Sequence, residues 1–328
     1  MTEYSIYLYN NTKHQFAYLN NMQITKYNQV LLAIITHSNS KYKVVNMLKN
    51  WLPNKKDLQR VSYGTVGDVI FIDDKNNEAA QKAGYNTVVA DQSFIQEESK
   101  RKRRWKYIGT NPLKEIAKVY KIKLIIDYFL QKTNYTWLKY QDADTYLIFS
   151  NFKKMMDFYT NEYPEPAAYT QAIIKGCCTS DRFEYYGQGG TGYLLSRRAV
   201  EIYNENWQQY FTTFRNFEDR AINELISKAG VSFKDLSSTF FIGDRIKEQF
   251  LNYMKEGNFQ SLPICPKNHP YTQCANEFYM LNKVASVHKV DDYSPSIKEM
   301  IDKQIIPDNV RFYHNSWNPS LCYMPNDS

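Results

Sequence analysis

An alternation of short apolar runs with helix-type patterns is the feature of this chain that most constrains its fold. The runs at 30–35 and 68–73 are bounded by polar residues and apolar inside, which is typical of strands covered on both faces. Between them, apolar residues over 44–51 recur at helical spacing until Pro53 ends the pattern. The sequence therefore predicts an α/β fold with a mostly parallel sheet and helices on both faces.

The same alternation continues through the first two-thirds of the chain. Further strands are predicted over 135–140 and 167–174, and further helices from Pro112 and over 151–159, 198–210 and 218–229. The glycine-rich segment 187–192 is predicted to be a loop that leads into residues 193–195 and then into the helix over 198–210. Because ligands bind beyond the carboxyl ends of the strands in such folds, acidic residues at those ends are candidate site residues.

The composition excludes several classes of protein. Of the 328 residues, 43% are hydrophobic and 23% are charged, which is typical of a globular chain and not of a disordered one. Mean hydropathy is −0.59, and no run approaches the roughly 18 apolar residues of a membrane span, so we expect no integral membrane segment. The five cysteines do not form a disulfide framework, although Cys265 and Cys274 would be able to pair in an oxidising compartment.

The net charge of +7 favours anionic partners in general: nucleotides, nucleic acid or phosphoinositides. The basic cluster at 100–106 is open to three interpretations, namely a solvated loop, an anion-capture segment or a look-alike of a nuclear-localisation signal. No RNP, zinc or helix-turn-helix pattern accompanies it. We therefore expect no nucleic-acid partner.

Two carboxylates, Asp142 and Asp144, directly follow the strand predicted over 135–140. One residue apart at a strand end, they can reach one hard cation, which takes its other ligands from water and phosphate oxygens. Such a cation grips a nucleotide diphosphate and neutralises charge on the leaving phosphate. An acidic loop without chemistry is the alternative, because Asp-x-Asp is frequent by chance.

Four segments together resemble the β-1,3-glycosyltransferase family that includes fringe and the core-1 galactosyltransferase. In order, they are 30–52, with a strand and a helix ending at Trp51; 137–146, with the Asp-x-Asp; 186–199, with Gly-Gly-Thr-Gly-Tyr; and 217–219, with Gly230-Val231 downstream. The resemblance implies a single GT-A-like, Rossmann-type domain over 28–292. A polar lead-in over 1–27 and a C-terminal extension over 293–328 lie outside it.

The resemblance implies an inverting, metal-dependent glycosyltransferase. It would move a hexose or N-acetylhexosamine from a UDP-sugar to a hydroxyl of a glycan or glycoprotein, with a β-1,3 linkage. Mn²⁺ is the implied cofactor. The implied metal ligands are Asp142, Asp144 and His288; the implied nucleotide-sugar contacts are Thr36, Lys43, Asp73, Asp142, Gly189, Gly190 and Glu218; and the implied general base is Asp219, which would take the proton of the attacking hydroxyl.

The sequence departs from the family pattern at two motif positions and in its N-terminus. Ala143 replaces the middle acid of a triple-Asp run, and Arg220 replaces an apolar residue. The chain shows no signal peptide or anchor, so we expect cytosolic residence or delivery as an effector, with the secretory-pathway lumen as the alternative. A non-catalytic fringe-like chaperone or glycan-binding protein is the alternative function. The intact Asp-x-Asp and Glu218-Asp219 speak against it, while the donor sugar, the acceptor and the oligomeric state stay open.

Overall fold

The apolar runs form the central strands of a seven-stranded sheet. The computed structural model describes residues 30–37, 39, 41–102, 112–162, 173–180 and 185–213, with the short segments 232–235, 241–242, 262–263, 278–279 and 285–287. The first predicted strand is confirmed as β1, Val30–Ile35, all of whose residues are buried. Full burial explains its uniform apolar pattern, because both of its faces are covered.

The remaining elements follow in chain order. The helices are α1 Lys41–Asn50, α2 Leu58–Val61, α3 Glu78–Lys82, α4 Gln92–Lys102, α5 Pro112–Lys132, α6 Phe149–Glu162 and α7 Arg197–Thr213, with a 3₁₀ turn at Lys55–Asp57. The further strands are β2 Val66–Asp73, β3 Asn86–Val89, β4 Trp137–Asp142, β5 Tyr146–Leu147, β6 Ile173–Ser180, β7 Tyr185–Ser196, β8 Ser232–Asp235, β9 Phe241–Ile242, β10 Leu262–Pro263, β11 Phe278–Tyr279 and β12 Ser286–Val287.

The sheet has the strand order β3-β2-β1-β4-β7-β6-β8. β2, β1 and β4 pair in parallel, as do β2 with β3 and β6 with β8. β7 is antiparallel to both of its neighbours, β4 and β6. The predicted α/β fold with a mostly parallel sheet is therefore confirmed. A three-stranded ribbon, β5-β12-β9, and the pair β10-β11 lie outside this sheet.

Helices cover both faces of the sheet. On one face, apolar residues of α4, α5 and α7 pack against Leu31, Ala33 and Ile35. On the other, residues of α1, α2, α3 and α6 pack against Val30 and its alternate neighbours along β1. Because each fully buried aliphatic side chain contributes about 1.5–3 kcal/mol, these two layers fix the sheet as a rigid base for its edge. No helix in the described part of the chain is both long and apolar enough to cross a membrane.

Two predictions about elements need correction. The strand expected over 167–174 is β6, Ile173–Ser180, and the glycine-rich segment 187–192 lies within β7 rather than in a loop. The β6–β7 register shifts there, because Gly176 lies opposite Tyr193 while Cys177 lies opposite Gln188. Residues 189–192 therefore form an insertion in the strand. The helix predicted over 218–229 lies outside the described residues.

Candidate functional site

The carboxyl ends of β1, β2 and β4 meet at one edge of the sheet, because the three strands are parallel and adjacent. Backbone hydrogen bonds hold the ends together: the Thr36 amide donates to the Ile72 carbonyl (2.9 Å), and the Ala143 amide donates to the Ile35 carbonyl (3.1 Å). The acidic residues that follow β2 and β4 thus belong to one edge. The sequence pattern predicts this arrangement.

Asp144 and Lys43 form an ion pair at this edge. The Lys43 ammonium lies 2.7 Å from Asp144 Oδ2, and the two side chains are 20% and 13% exposed. Lys43 comes from α1, 101 positions earlier in the chain than its partner. Two residues that the resemblance implies for the nucleotide and the metal are therefore adjacent in the fold.

Asp142 has a lysine partner that the sequence motifs do not contain. Lys118 of α5 donates to Asp142 Oδ2 at 3.3 Å, and its side chain is 16% exposed. The helical spacing of apolar and tyrosine residues from Pro112 onward predicts an inner face of α5 that begins with Leu113 and Ile116. In the structure Leu113 is exposed, whereas Ile122 and Phe129 are buried. Lysines interrupting an otherwise apolar helix are the sequence signal that would have pointed to this site.

A third lysine, Lys121, is fully buried and ties the ends of β1 and β2 together. Its ammonium lies 2.6 Å from the Thr36 carbonyl oxygen, 2.7 Å from Asp74 Oδ1 and 3.0 Å from His37 Nδ1. Burial lowers the pKa of Lys121, and the Asp74 carboxylate opposes that shift. Lys121 therefore stabilises the edge from within the fold. Lys43 and Lys118 contact the partly exposed carboxylates of Asp144 and Asp142.

Thr36 and Asp73, two implied nucleotide contacts, are buried and bonded within the fold. Thr36 Oγ1 donates to the Ile72 carbonyl at 3.2 Å. Asp73 accepts from the Asp74 amide at 2.6 Å and from Asn77 Nδ2 at 3.0 Å, and Asn77 in turn caps α3. These contacts give both side chains a structural role at the strand ends. Their contact with a nucleotide stays a prediction.

The glycine insertion of β7 lies directly against the end of β4. Thr145 Oγ1, one residue beyond Asp144, donates to the Gly190 carbonyl at 2.7 Å. Gly192 has a φ of +79°, and a Cβ built on it would lie 1.6 Å from the Tyr140 carbonyl oxygen and 2.7 Å from Lys139 Nζ. Only glycine permits this approach. The implied sugar-contacting Gly190 thus lies beside the Asp142–Asp144 turn, and Gly189 belongs to the same insertion.

Lys139 is the second wholly buried lysine, and no sequence motif singles it out. It lies in the middle of β4, and the close approach of Gly192 places backbone against its ammonium. Burial holds the pKa of Lys139 well below its ordinary value, and the Asp142 carboxylate offsets part of that effect. The ionisation of buried Lys139 therefore depends on the charge of Asp142 in the candidate site.

The carboxylates of Asp142 and Asp144 fit a hard divalent cation whose other ligands come from a bound molecule. Carboxylate oxygens are the ligands that Mg²⁺ and related ions prefer, and one or two carboxylates suffice where phosphate oxygens complete the shell. No group of three or more His, Cys, Asp or Glu side chains able to hold a metal occurs in the described residues. The third implied ligand, His288, lies outside them, as do Glu218 and Asp219.

No family model matches the chain, and no curated protein matches it in sequence. Its fold is similar to a solved galactosyltransferase LgtC in complex with donor and acceptor sugar analogues, with a TM-score of 0.42 and 11% identity over 79% of this chain and 86% of that one. Mouse xyloside xylosyltransferase 1 is similar with a TM-score of 0.36 and 11% identity over 65% and 86% of the two chains. Mannose-1-phosphate geranyltransferase from Thermus thermophilus follows, with a TM-score of 0.31 and 9% identity over 62% and 64%.

The fold class rests on the topology of the sheet itself. The resemblance to the fringe and core-1 family, and the β-1,3 linkage that it implies, stay predictions.

Proposed function

We propose that this chain is a metal-dependent glycosyltransferase that moves a hexose or N-acetylhexosamine from a UDP-sugar to an acceptor hydroxyl. One observation carries the proposal: Asp142, Asp144, Lys43 and the glycine insertion converge at the carboxyl edge of a mostly parallel sheet. Ligands of open α/β sheets bind at this edge. The paired charges suit a nucleotide diphosphate, and the glycines suit the close approach of a sugar.

Asp142 and Asp144 would hold the metal ion, for which we propose Mn²⁺, with His288 as a third ligand. When bound, the ion would neutralise negative charge that develops on the departing diphosphate. The protein itself would position the nucleotide. The hydrogen bond from Thr145 to Gly190 joins the carboxylate turn to the glycine insertion, so a nucleotide held by one lies next to the other.

The glycine insertion would contact one side of the donor sugar. Its glycines carry no side chain, which would let a polar ring approach the backbone closely. Gly190 is buried against the turn that follows β4. Glu218 is proposed as a further contact to the sugar, on the basis of the motif in which it occurs.

Asp219 is proposed as the general base. It would take the proton of the acceptor hydroxyl as that oxygen attacks the anomeric carbon from the face opposite the nucleotide. The sugar would therefore be transferred with inversion, and the proposed linkage is β-1,3 to a glycan or glycoprotein. This assignment rests on the sequence motif Glu218-Asp219 and on the need for a carboxylate on the acceptor side.

The experiment for this mechanism is Asp219→Asn, which is nearly isosteric and removes the base. We expect kcat to fall by about 10²–10⁴, the usual contribution of general-base catalysis, while the affinity for UDP stays unchanged. NMR of the wild-type product should show the inverted anomeric configuration. A variant that transfers sugar at the wild-type rate, or a product with retained configuration, would contradict the assignment.

A further inference from the structure

Two partly exposed lysines neutralise the two carboxylates of the candidate site from opposite faces of the sheet. Lys43 belongs to α1, which packs on the same face as Val30, and Lys118 belongs to α5, which packs on the same face as Leu31. Their ammonium groups lie 2.7 Å from Asp144 Oδ2 and 3.3 Å from Asp142 Oδ2. Each of these two carboxylates therefore has a lysine ammonium within ion-pair distance.

A divalent cation at Asp142 and Asp144 changes the charge at these ion pairs. An ammonium beside a doubly charged ion is repelled, and the repulsion is strong where both groups are shielded from water. With side chains only 16% and 20% exposed, Lys118 and Lys43 lie within this shielded region. Each long, flexible lysine would then move its ammonium away from its carboxylate.

The diphosphate of a UDP-sugar supplies the negative charge that such ammonium groups need. Its two negative charges equal the positive charge that the cation adds, so the two together leave the net charge of the site unchanged. Lysine is a common phosphate ligand because its ammonium acts as a compact point charge on a flexible stem.

We propose that Lys118 is a diphosphate-binding residue. Its ammonium pairs with Asp142 until a cation and a nucleotide bind together, and it then contacts the diphosphate. The inference rests on the proposed function. It adds a ligand that the sequence motifs do not contain, and it makes Asp142 and the diphosphate two alternative partners of the Lys118 ammonium. A purely supporting role for Lys118 is the competing explanation, in which the lysine only orients Asp142.

The two explanations predict opposite effects on the affinity for the metal. If Lys118 moves from carboxylate to phosphate, its removal frees Asp142 from a competing positive charge, so Mn²⁺ alone binds as well as before or more tightly. UDP then binds more weakly, because a charged hydrogen bond is lost. If Lys118 only orients Asp142, both affinities fall together.

The experiment uses the full chain and two titrations. Mn²⁺ alone is titrated by the EPR signal of the free ion, and UDP is titrated by calorimetry at saturating Mn²⁺. The variants are Lys118→Met and Lys118→Gln, each checked for folding by thermal unfolding, so that one informative variant is kept if the other unfolds. Lys114→Met is the matched control, because Lys114 is exposed on the same helix and its loss changes the net charge equally.

We expect Lys118→Met to bind UDP about tenfold or more weakly, the effect of losing one hydrogen bond between charged groups. Its Mn²⁺ affinity should be equal to or above that of the wild type, and Lys114→Met should match the wild type in both titrations. A joint loss of Mn²⁺ and UDP affinity, or unchanged UDP affinity, would overturn the proposal for Lys118. If the wild type itself binds no UDP in the presence of Mn²⁺, the proposed function fails, and the inference fails with it.

Discussion

Gly192 lies so close to the end of β4 that no side chain fits at its position. We predict that Gly192→Ala lowers the free energy of unfolding by about 2–4 kcal/mol, since a Cβ would lie 1.6 Å from the Tyr140 carbonyl oxygen at a positive φ. Denaturant unfolding measures the loss. Gly64→Ala is the control, because Gly64 has a similar φ of +76° with open space around its Cα, and it should cost only about 1–2 kcal/mol. Equal losses for the two variants would contradict the close approach.

At the scale of residues, motif positions were easier to predict than charged partners. The sequence points to Asp142, Asp144 and Lys43 as site residues, and the structure brings Lys43 and Asp144 together. Lys118 and Lys121 were missed because a lysine in a helix is normally solvated, and nothing in the sequence shows which carboxylate it faces. Their partners lie on other strands and become neighbours only when the sheet forms.

At the scale of elements, Arg197 joins the start of α7 to the segment that connects α5 with β4. Its guanidinium donates to the carbonyls of Tyr135 (3.0 Å) and Thr133 (3.3 Å) and lies 5.2 Å from the centre of the Phe129 ring. The motif that suggested a family resemblance thus contains a residue with a structural role.

We predict that Arg197→Met lowers the free energy of unfolding by about 1.5–3 kcal/mol, because two backbone carbonyls lose a charged donor. Arg198→Met is the neighbouring control. Arg198 pairs with Glu201 and Glu205 on the surface of the same helix, so its loss should have a much smaller effect. Urea unfolding of both variants gives the comparison, and an Arg198→Met loss as large as that of Arg197→Met would contradict this role.

The elements that were predicted best are those whose pattern follows directly from burial. β1 is buried on both faces, and its predicted bounds match the structure. Glycine disfavours strands, so the sequence predicts a loop over 187–192. In the structure β7 includes this segment, because its neighbours pair with β4 and β6 and the glycines form an insertion. Local propensity was overridden there by pairing with distant strands.

At the scale of the whole molecule, buried Lys139 makes stability depend on pH. Its pKa in the folded state lies well below the ordinary 10.5, so the unfolded chain binds the proton more readily. The cost of burying the charge is fully present below the lowered pKa and disappears as the pH approaches 10.5. The stability of the wild type relative to Lys139→Met should therefore rise with pH across this window, by at most about 1.4 kcal/mol per pH unit.

Urea unfolding of the wild type and Lys139→Met between neutral pH and pH 10.5 measures this difference. Lys114→Met, which removes an exposed lysine, should follow the wild type in parallel at every pH. A difference between the wild type and Lys139→Met that stays constant over the whole range would contradict the lowered pKa.

Release of free UDP from a panel of UDP-sugars in the presence of Mn²⁺ tests the central claim most directly. We predict that the wild type releases UDP from at least one donor, that a chelator abolishes the release and that Mn²⁺ restores it. Asp144→Asn should be inactive with its fold intact, because it removes a ligand charge at the edge. Asp57→Asn, which removes an exposed carboxylate paired with Arg60, should stay active. Full activity in excess chelator or in Asp144→Asn, or no release from any donor, would contradict the account.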